Sequence, residues 1–176
     1  VERCNEILKK LSLNPNEEDD FIDEDLAMRD YLKEIILSFK ETSKKDFILN
    51  LSQDSNPKKI TKSIEIVYGL RNFIGNANKF ASSNIFINLK SDSEITEITI
   101  EDDGNGFPRD ILSKIGEPYL RSNYPIDKSK SGLGLGLFIG KTLLEKNFAS
   151  INCRNSKTRN GAEIIIKWKN RDLFNI

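Results

Sequence analysis

The chain has 176 residues, enough for one large domain or one domain plus an appendage. Hydrophobic residues make up 38% and charged residues 31%, which suits a real core under a soluble surface. Its 27 Lys and Arg balance 27 Asp and Glu, so the basic excess of a nucleic-acid binder is missing and no nucleic-acid partner is expected.

Residues 1–13, VERCNEILKKLSL, have helical spacing, with Val1, Cys4, Ile7, Leu8 and Leu11 on one face. Seven acids follow between Glu17 and Asp25, a run that reads as solvated linker, and a boundary is placed there. Residues 26–39 form an amphipathic helix with acids ahead of its N-terminus. KDFILNLS reads as a strand, and Thr61 through Phe80 as a long helix. NIFINLK and EITEITIED alternate as neighbouring strands do, DDGNGFP turns, and RDILSKIG is a short helix. Residues 116–131 look irregular and mobile. GLGLGLFIGKTLLEKN is a glycine-rich entry into a helix, and ASINCRN and AEIIIKW close as a hairpin around Asn160-Gly161. Three helices with largely consecutive strands imply an α+β fold, a two-layer sandwich with helices on one face of a mixed sheet.

Several chemistries drop out. There is no histidine, which removes Ser-His-Asp and Cys-His catalysis and His-type metal sites from this chain. Cys4 and Cys153 lie far apart in no zinc-type spacing, and two cysteines suit a reducing compartment. No apolar run approaches the roughly 18 residues of a membrane span. With no signal peptide and Val1 at its start, the chain is expected to be a piece of a longer protein.

Three stretches could carry chemistry. In RNFIGNANKF, Ile64, Val67, Leu70, Phe73, Ile74 and Ala77 form the apolar stripe of the helix, while Asn72, Asn76 and Lys79 cluster opposite. A solvent face and a ligand face both fit that pattern. In EDDGNGF, Asp102, Gly104 and Gly106 make D-x-G-x-G at a strand end. The carboxylate could accept a hydrogen bond from an exocyclic amine, with glycines letting a flat base come close; an ordinary Asp-Gly turn fits too. In SGLGLGLF, Gly132, Gly134 and Gly136 precede a helix, where freed N–H groups and the dipole favour an anion; a flexible loop is the plainer reading. The stretch is neither a Walker A loop, since Leu135 stands at its first glycine, nor a dinucleotide loop, since Ile139 stands at its last.

Taken in order, N-x-x-x-N-x-x-K, D-x-G-x-G and G-x-G-x-G-L resemble the ATP-binding domain of sensor histidine kinases, in the superfamily shared with gyrase, Hsp90 and MutL. The resemblance covers about residues 26–170. It implies ATP as ligand with Mg²⁺ as cofactor, Asn76 on the metal, and Asn72 where ATP-hydrolysing members carry a glutamate that activates water. Asparagine cannot act as that base, so ATP would be held rather than hydrolysed. Lys79 would offset phosphate charge and Phe80 pack near the adenine. Asp102 would read the adenine amine above Gly104 and Gly106. Gly132, Gly134, Gly136 and Leu137 would approach the phosphates, with Arg121, Lys128 and Lys130 as candidate contacts in an ATP lid at about 116–131.

GEPYLRS stands where most such kinases carry F-x-P-F. With VERCNEILKKLS and GLGLGLFIGKTLLEK it is similar to the RegB/PrrB group of redox-responding kinases. That similarity makes 1–13 the end of a dimerisation hairpin, 14–25 an acidic linker, 26–176 the catalytic domain and Cys4 a candidate redox switch. The implied partners are the phosphoacceptor domain of the same protein and a response regulator. The parent would be homodimeric and anchored in a bacterial inner membrane with this part cytoplasmic; this chain alone is expected to be a monomer. An anti-sigma-factor-type serine kinase and a non-catalytic nucleotide-binding module are the alternatives.

Overall fold

The computed structural model describes residues 26–52, 59–60, 63–112, 114–115, 117–118 and 135–173. Leu26–Ala27 (β1) pairs antiparallel with Lys59–Ile60 (β3), a two-stranded ribbon too short to show in the sequence pattern. Met28–Lys40 (α1) buries Met28, Tyr31, Leu32, Ile35 and Ile36, the spacing that puts five side chains on one helical stripe. Asp46–Leu51 (β2) follows.

Ile64–Phe80 (α2) is the long helix. It begins three residues later than the sequence reading. Ser63 is its N-cap, accepting from the Ile66 N–H at 3.3 Å, and Glu65 lies in the first turn. Ile64, assigned to the apolar stripe, is instead 60% exposed, whereas Ile66, Leu70, Phe73, Ile74 and Ala77 are buried. The buried stripe thus starts at Ile66, two residues after the N1 position.

Asn84–Ser91 (β4) and Ile95–Asp102 (β5) form the expected hairpin. Arg109–Leu112 (α3) is one turn only, shorter than the expected 109–116. Gly136–Lys146 (α4) is followed by Ser150–Asn155 (β6) and Ala162–Lys169 (β7). A one-turn helix, Asn170–Leu173 (α5), closes the described chain; Asn170 is held by Thr96, Asp92 and Glu94.

The main sheet runs β2-β4-β5-β7-β6, with β2 parallel to β4 and all other neighbours antiparallel. One face buries Ile85, Ile87, Leu89, Ile98, Ile100, Ile164, Ile166 and Trp168 beneath α1, α2 and α4. The other face carries charge pairs between neighbouring strands, Glu97 with Lys167 at 2.7 Å and Arg154 with Glu163. That alternation is the mark of a sheet covered by helices on one side. The fold is therefore the expected α+β two-layer arrangement, with α1, α2 and α4 as its three main helices.

Candidate functional site

The site is assembled at one end of the sheet, where the last residue of β5 meets the C-terminal half of α2. Asp102 is 3% exposed. Its Oδ1 accepts from the Gly104 N–H at 2.8 Å and the Ala162 N–H at 3.3 Å. No partner for Oδ2 is found among the described residues. Burial pushes this carboxyl above its ordinary range. The two N–H bonds and the Lys45 ammonium pull it back, while neighbouring Asp103 adds to the rise. The group is thus a buried acceptor with one oxygen fixed by backbone and the other uncommitted.

Glycine is required around it. A Cβ on Gly161 would lie 1.8 Å from the Asp102 carbonyl oxygen, and one on Gly104 would lie 2.3 Å from that of Phe80. Gly106 adopts φ +71°, and its Cβ would lie 2.7 Å from Asn155 Oδ1. The sequence reads Gly161 as part of an Asn160-Gly161 turn. The structure separates the two residues: Asn160 carries the positive φ of 61°, and Gly161 serves close approach.

Two further residues fix the D-x-G-x-G turn. Asn155 accepts the Phe107 N–H at 2.6 Å and donates to the Phe107 carbonyl at 3.0 Å. Asp103 faces away from its neighbour. Its carboxylate accepts the N–H groups of Ser82, Ser83 and Asn84 and the Asn84 amide, all at 2.8–3.0 Å. Burial pushes Asp103 up, but those four bonds outweigh it and hold the group at about 2. Neither residue was picked out from sequence. Both sit at positions any turn could fill with Asn or Asp, so only the folded partners distinguish them.

The asparagines of α2 are half-buried rather than laid out on a solvent face. α2 and α4 approach closely through glycine. A Cβ on Gly69 would meet Leu144 at 2.5 Å, and one on Gly140 would lie 3.3 Å from Asn72 Cβ. Asn72 donates its amide to the Tyr68 carbonyl at 2.8 Å. That bond commits its nitrogen. Its Oδ1 lies toward the first residue of α4, 3.9 Å from where a Gly136 Cβ would stand. Asn76 lies one turn further along, and among the described residues its side chain has no hydrogen-bond partner. A neutral amide oxygen in this state suits a hard cation that keeps most of its ligands as water and phosphate. No cluster of three or more acidic or cysteine side chains among the described residues could hold a metal alone.

Lys79 lies with its ammonium 5.3 Å from the centre of the Phe80 ring, and both residues are half-buried. Asn78 faces elsewhere, accepting from the Ser43 hydroxyl at 2.7 Å. Gly136 is the first residue of α4, whose opening N–H groups have no side-chain cap, and Leu137 packs against the core. Asn72, Asn76, Lys79, Phe80, Asp102, Gly104, Gly106, Gly136 and Leu137 are therefore placed. Cys4, Arg121, Lys128, Lys130, Gly132 and Gly134 lie outside the described residues, as do most of 116–131 and all of 1–25.

A family profile described as histidine kinase-, DNA gyrase B- and HSP90-like ATPase matches residues 61–172, which contain every placed site residue. The chain belongs to this family. It is 32% identical over 165 residues to the sensor histidine kinase RegB of Cereibacter sphaeroides, covering 89% of this chain and 35% of that protein. The chain thus spans about a third of that relative's length. Among solved structures, a mycobacterial sensor histidine kinase, MprB, superposes with TM-score 0.69 at 19% identity, covering 82% of this chain and 96% of that one. Full-length ShkA in complex with AMPPNP gives TM-score 0.65 at 19% identity, over 82% of this chain and 30% of that one. At such identities the two structures bear on the fold alone. The domain is the ATP-binding catalytic type found in sensor histidine kinases. No helix among the described residues is long and apolar enough to cross a membrane.

Proposed function

We propose that this chain is the catalytic part of a two-component sensor histidine kinase. It holds Mg-ATP for transfer of the γ-phosphoryl group to a histidine on another segment, and thence to a response-regulator aspartate. The carrying observation is Asp102, buried with one oxygen pinned by two backbone N–H groups and the other uncommitted. Such a carboxylate accepts the exocyclic amine of adenine. Gly104 and Gly161 let the backbone close tightly around it, and Gly106 shapes the turn.

At the phosphate end, Asn76 offers a neutral oxygen to Mg²⁺. Lys79, the N–H groups at Gly132, Gly134 and Gly136, and the lid cations Arg121, Lys128 and Lys130 offset phosphate charge. Leu137 anchors the first turn of α4. Asn72 stands on the same face as Asn76 and cannot take a proton from water. That absence of a base keeps the nucleotide for transfer. Bound Mg-ATP supplies the phosphoryl group and the metal's electrostatic support. With no histidine in this chain, the acceptor lies elsewhere.

The similarity to RegB supports the rest of the reading. Residues 1–13 end a dimerisation hairpin, 14–25 link it to the domain, 116–131 form the lid and Cys4 answers oxidant. The parent is a membrane-anchored homodimer with this part in the cytoplasm, and the isolated chain is a monomer.

Calorimetric titration with ADP and ATP, with and without Mg²⁺, tests the site. Asp102→Asn is expected to weaken nucleotide binding by tenfold or more, the worth of about 1.5–3 kcal/mol for a hydrogen bond to a charged group. Unchanged affinity in that variant removes the adenine from Asp102.

A further inference from the structure

The last turn of α2 ends, like every helix, with backbone carbonyls that have no amide donor of their own. Lys45, in the connection between α1 and β2, reaches across to them. Its ammonium donates to the carbonyls of Asn78 and of Ala81, the latter at 2.6 Å, with the Lys79 carbonyl at 3.5 Å. Ser43, two residues earlier, accepts the Lys45 N–H at 3.1 Å and donates to Asn78 Oδ1 at 2.7 Å. A cation here also compensates the negative end of the helix dipole.

The carbonyls that Lys45 gathers bracket Lys79 and Phe80. The Phe80 carbonyl is the surface on which Gly104 rests, too close for any side chain. On its far side the same helix end is tied to β5 by Asp103, which takes the N–H groups of Ser82, Ser83 and Asn84. Carbonyls are thus held by a cation and N–H groups by an anion, across one junction.

We propose that Lys45 is a positioning residue for nucleotide binding: it locks the end of α2 against the Asp102–Gly104 turn and places a positive charge beside the adenine-reading carboxylate. The inference rests on the nucleotide-binding reading above. Among the described residues, the charged groups facing Asp102 are Asp103, its neighbour on the chain, and Lys45. α2 presents backbone carbonyls to this junction, and the start of β7 an N–H. Lys45 is then the cation that favours the ionised, accepting form of Asp102. Removing it moves Asp102 protonation to higher pH, so affinity begins to fall sooner on acidification.

The test is calorimetric titration with ADP at pH 5.5, 6.5 and 7.5 for the wild type, Lys45→Met and Lys45→Arg, each variant compared with the wild type at the same pH. Lys45→Met is expected to bind on the order of tenfold more weakly at pH 7.5, the worth of one charge-assisted hydrogen bond. The ratio is expected to widen severalfold by pH 5.5, with Lys45→Arg recovering most of both losses. A deficit of the same size at every pH marks a purely structural lysine and overturns the proposal, as does no deficit at all. If Lys45→Met fails to fold, Lys45→Gln gives the same readout, a widening deficit in support and a flat one against. Absence of ADP binding by the wild type overturns the nucleotide reading and this inference with it. A flat pH ratio beside a wild type that binds overturns this inference alone.

Discussion

Asp102 and Asp103 are adjacent carboxylates driven in opposite directions by their partners. Asp103 is held at about 2 in the fold, below the roughly 3.9 of an unfolded aspartate. A depressed folded value means its contribution to stability is fully present above about pH 4 and is lost as pH falls towards 2. Asp102 is shifted upward, so its ionisation opposes folding and grows more costly as pH rises past the unfolded value. Two outcomes are expected. In urea unfolding followed between pH 2.5 and 7, Asp103→Ala loses much of the wild type's drop below pH 4; an unaltered pH profile removes Asp103 from that transition. Asp102→Asn keeps or raises the stability of the nucleotide-free protein at pH 7 while losing nucleotide. A large loss of stability there makes Asp102 a structural residue instead. At this scale the sequence was readable where a motif fixed the residue, as at Asp102 and the glycines of its turn. It was not readable at Asp103, Asn155, Gly161 or Lys45, whose distinguishing partners lie between 19 and 59 residues away along the chain.

Elements were legible where periodicity ran long enough to choose a face. α1 and α2 each span more than three turns, and β4, β5 and β7 have eight residues apiece. β1, β3 and α5 are too short to show a period, and their existence depends on pairing and on Asn170. α4 shows how local sequence and tertiary demand can conflict. It lies against α2 through Gly69, Gly140 and the fully buried Leu144, and it must then turn back into β6. Its end is tied down by Lys146 and Asn147 on Glu65 and by Trp168 on the Asn147 carbonyl. The chain reverses at Phe148, which has φ 62° and is 66% exposed. A bulky residue there carries a backbone cost without recovering it through burial. Phe148→Gly is therefore expected to raise stability by about 1 kcal/mol. Leu144→Ala is expected to cost about 2–5 kcal/mol through the cavity left between the helices. Denaturant midpoints at constant slope measure both, and a destabilised Phe148→Gly reveals that the exposed ring is held by a contact.

At the scale of the molecule, α2 belongs to the core and to the site at once. One side of it supplies Leu70, Phe73, Ile74 and Ala77 to the interior, all with little or no exposure. Its other side carries Asn72 and Asn76, and its end is fastened to β5 through Asp103. A ligand gripping that side therefore stabilises the whole cooperative unit by binding the folded state alone. At a hundred times its dissociation constant the gain is about 2.7 kcal/mol, several degrees in melting temperature for a domain of this size. On the proposed reading the amide oxygen of Asn76 would help hold Mg²⁺ and would contribute only with the metal present, so the metal's share can be separated from that of the base. In the wild type, Mg²⁺ with ATP is expected to raise the melting temperature more than ATP does. In Asn76→Ala that increment shrinks while the shift from metal-free nucleotide stays. In Asp102→Asn both shifts fall together, because the base is lost before the phosphates can be placed. A metal increment that survives Asn76→Ala moves the cation to other ligands. A shift that survives Asp102→Asn means that this end of the sheet does not read the base.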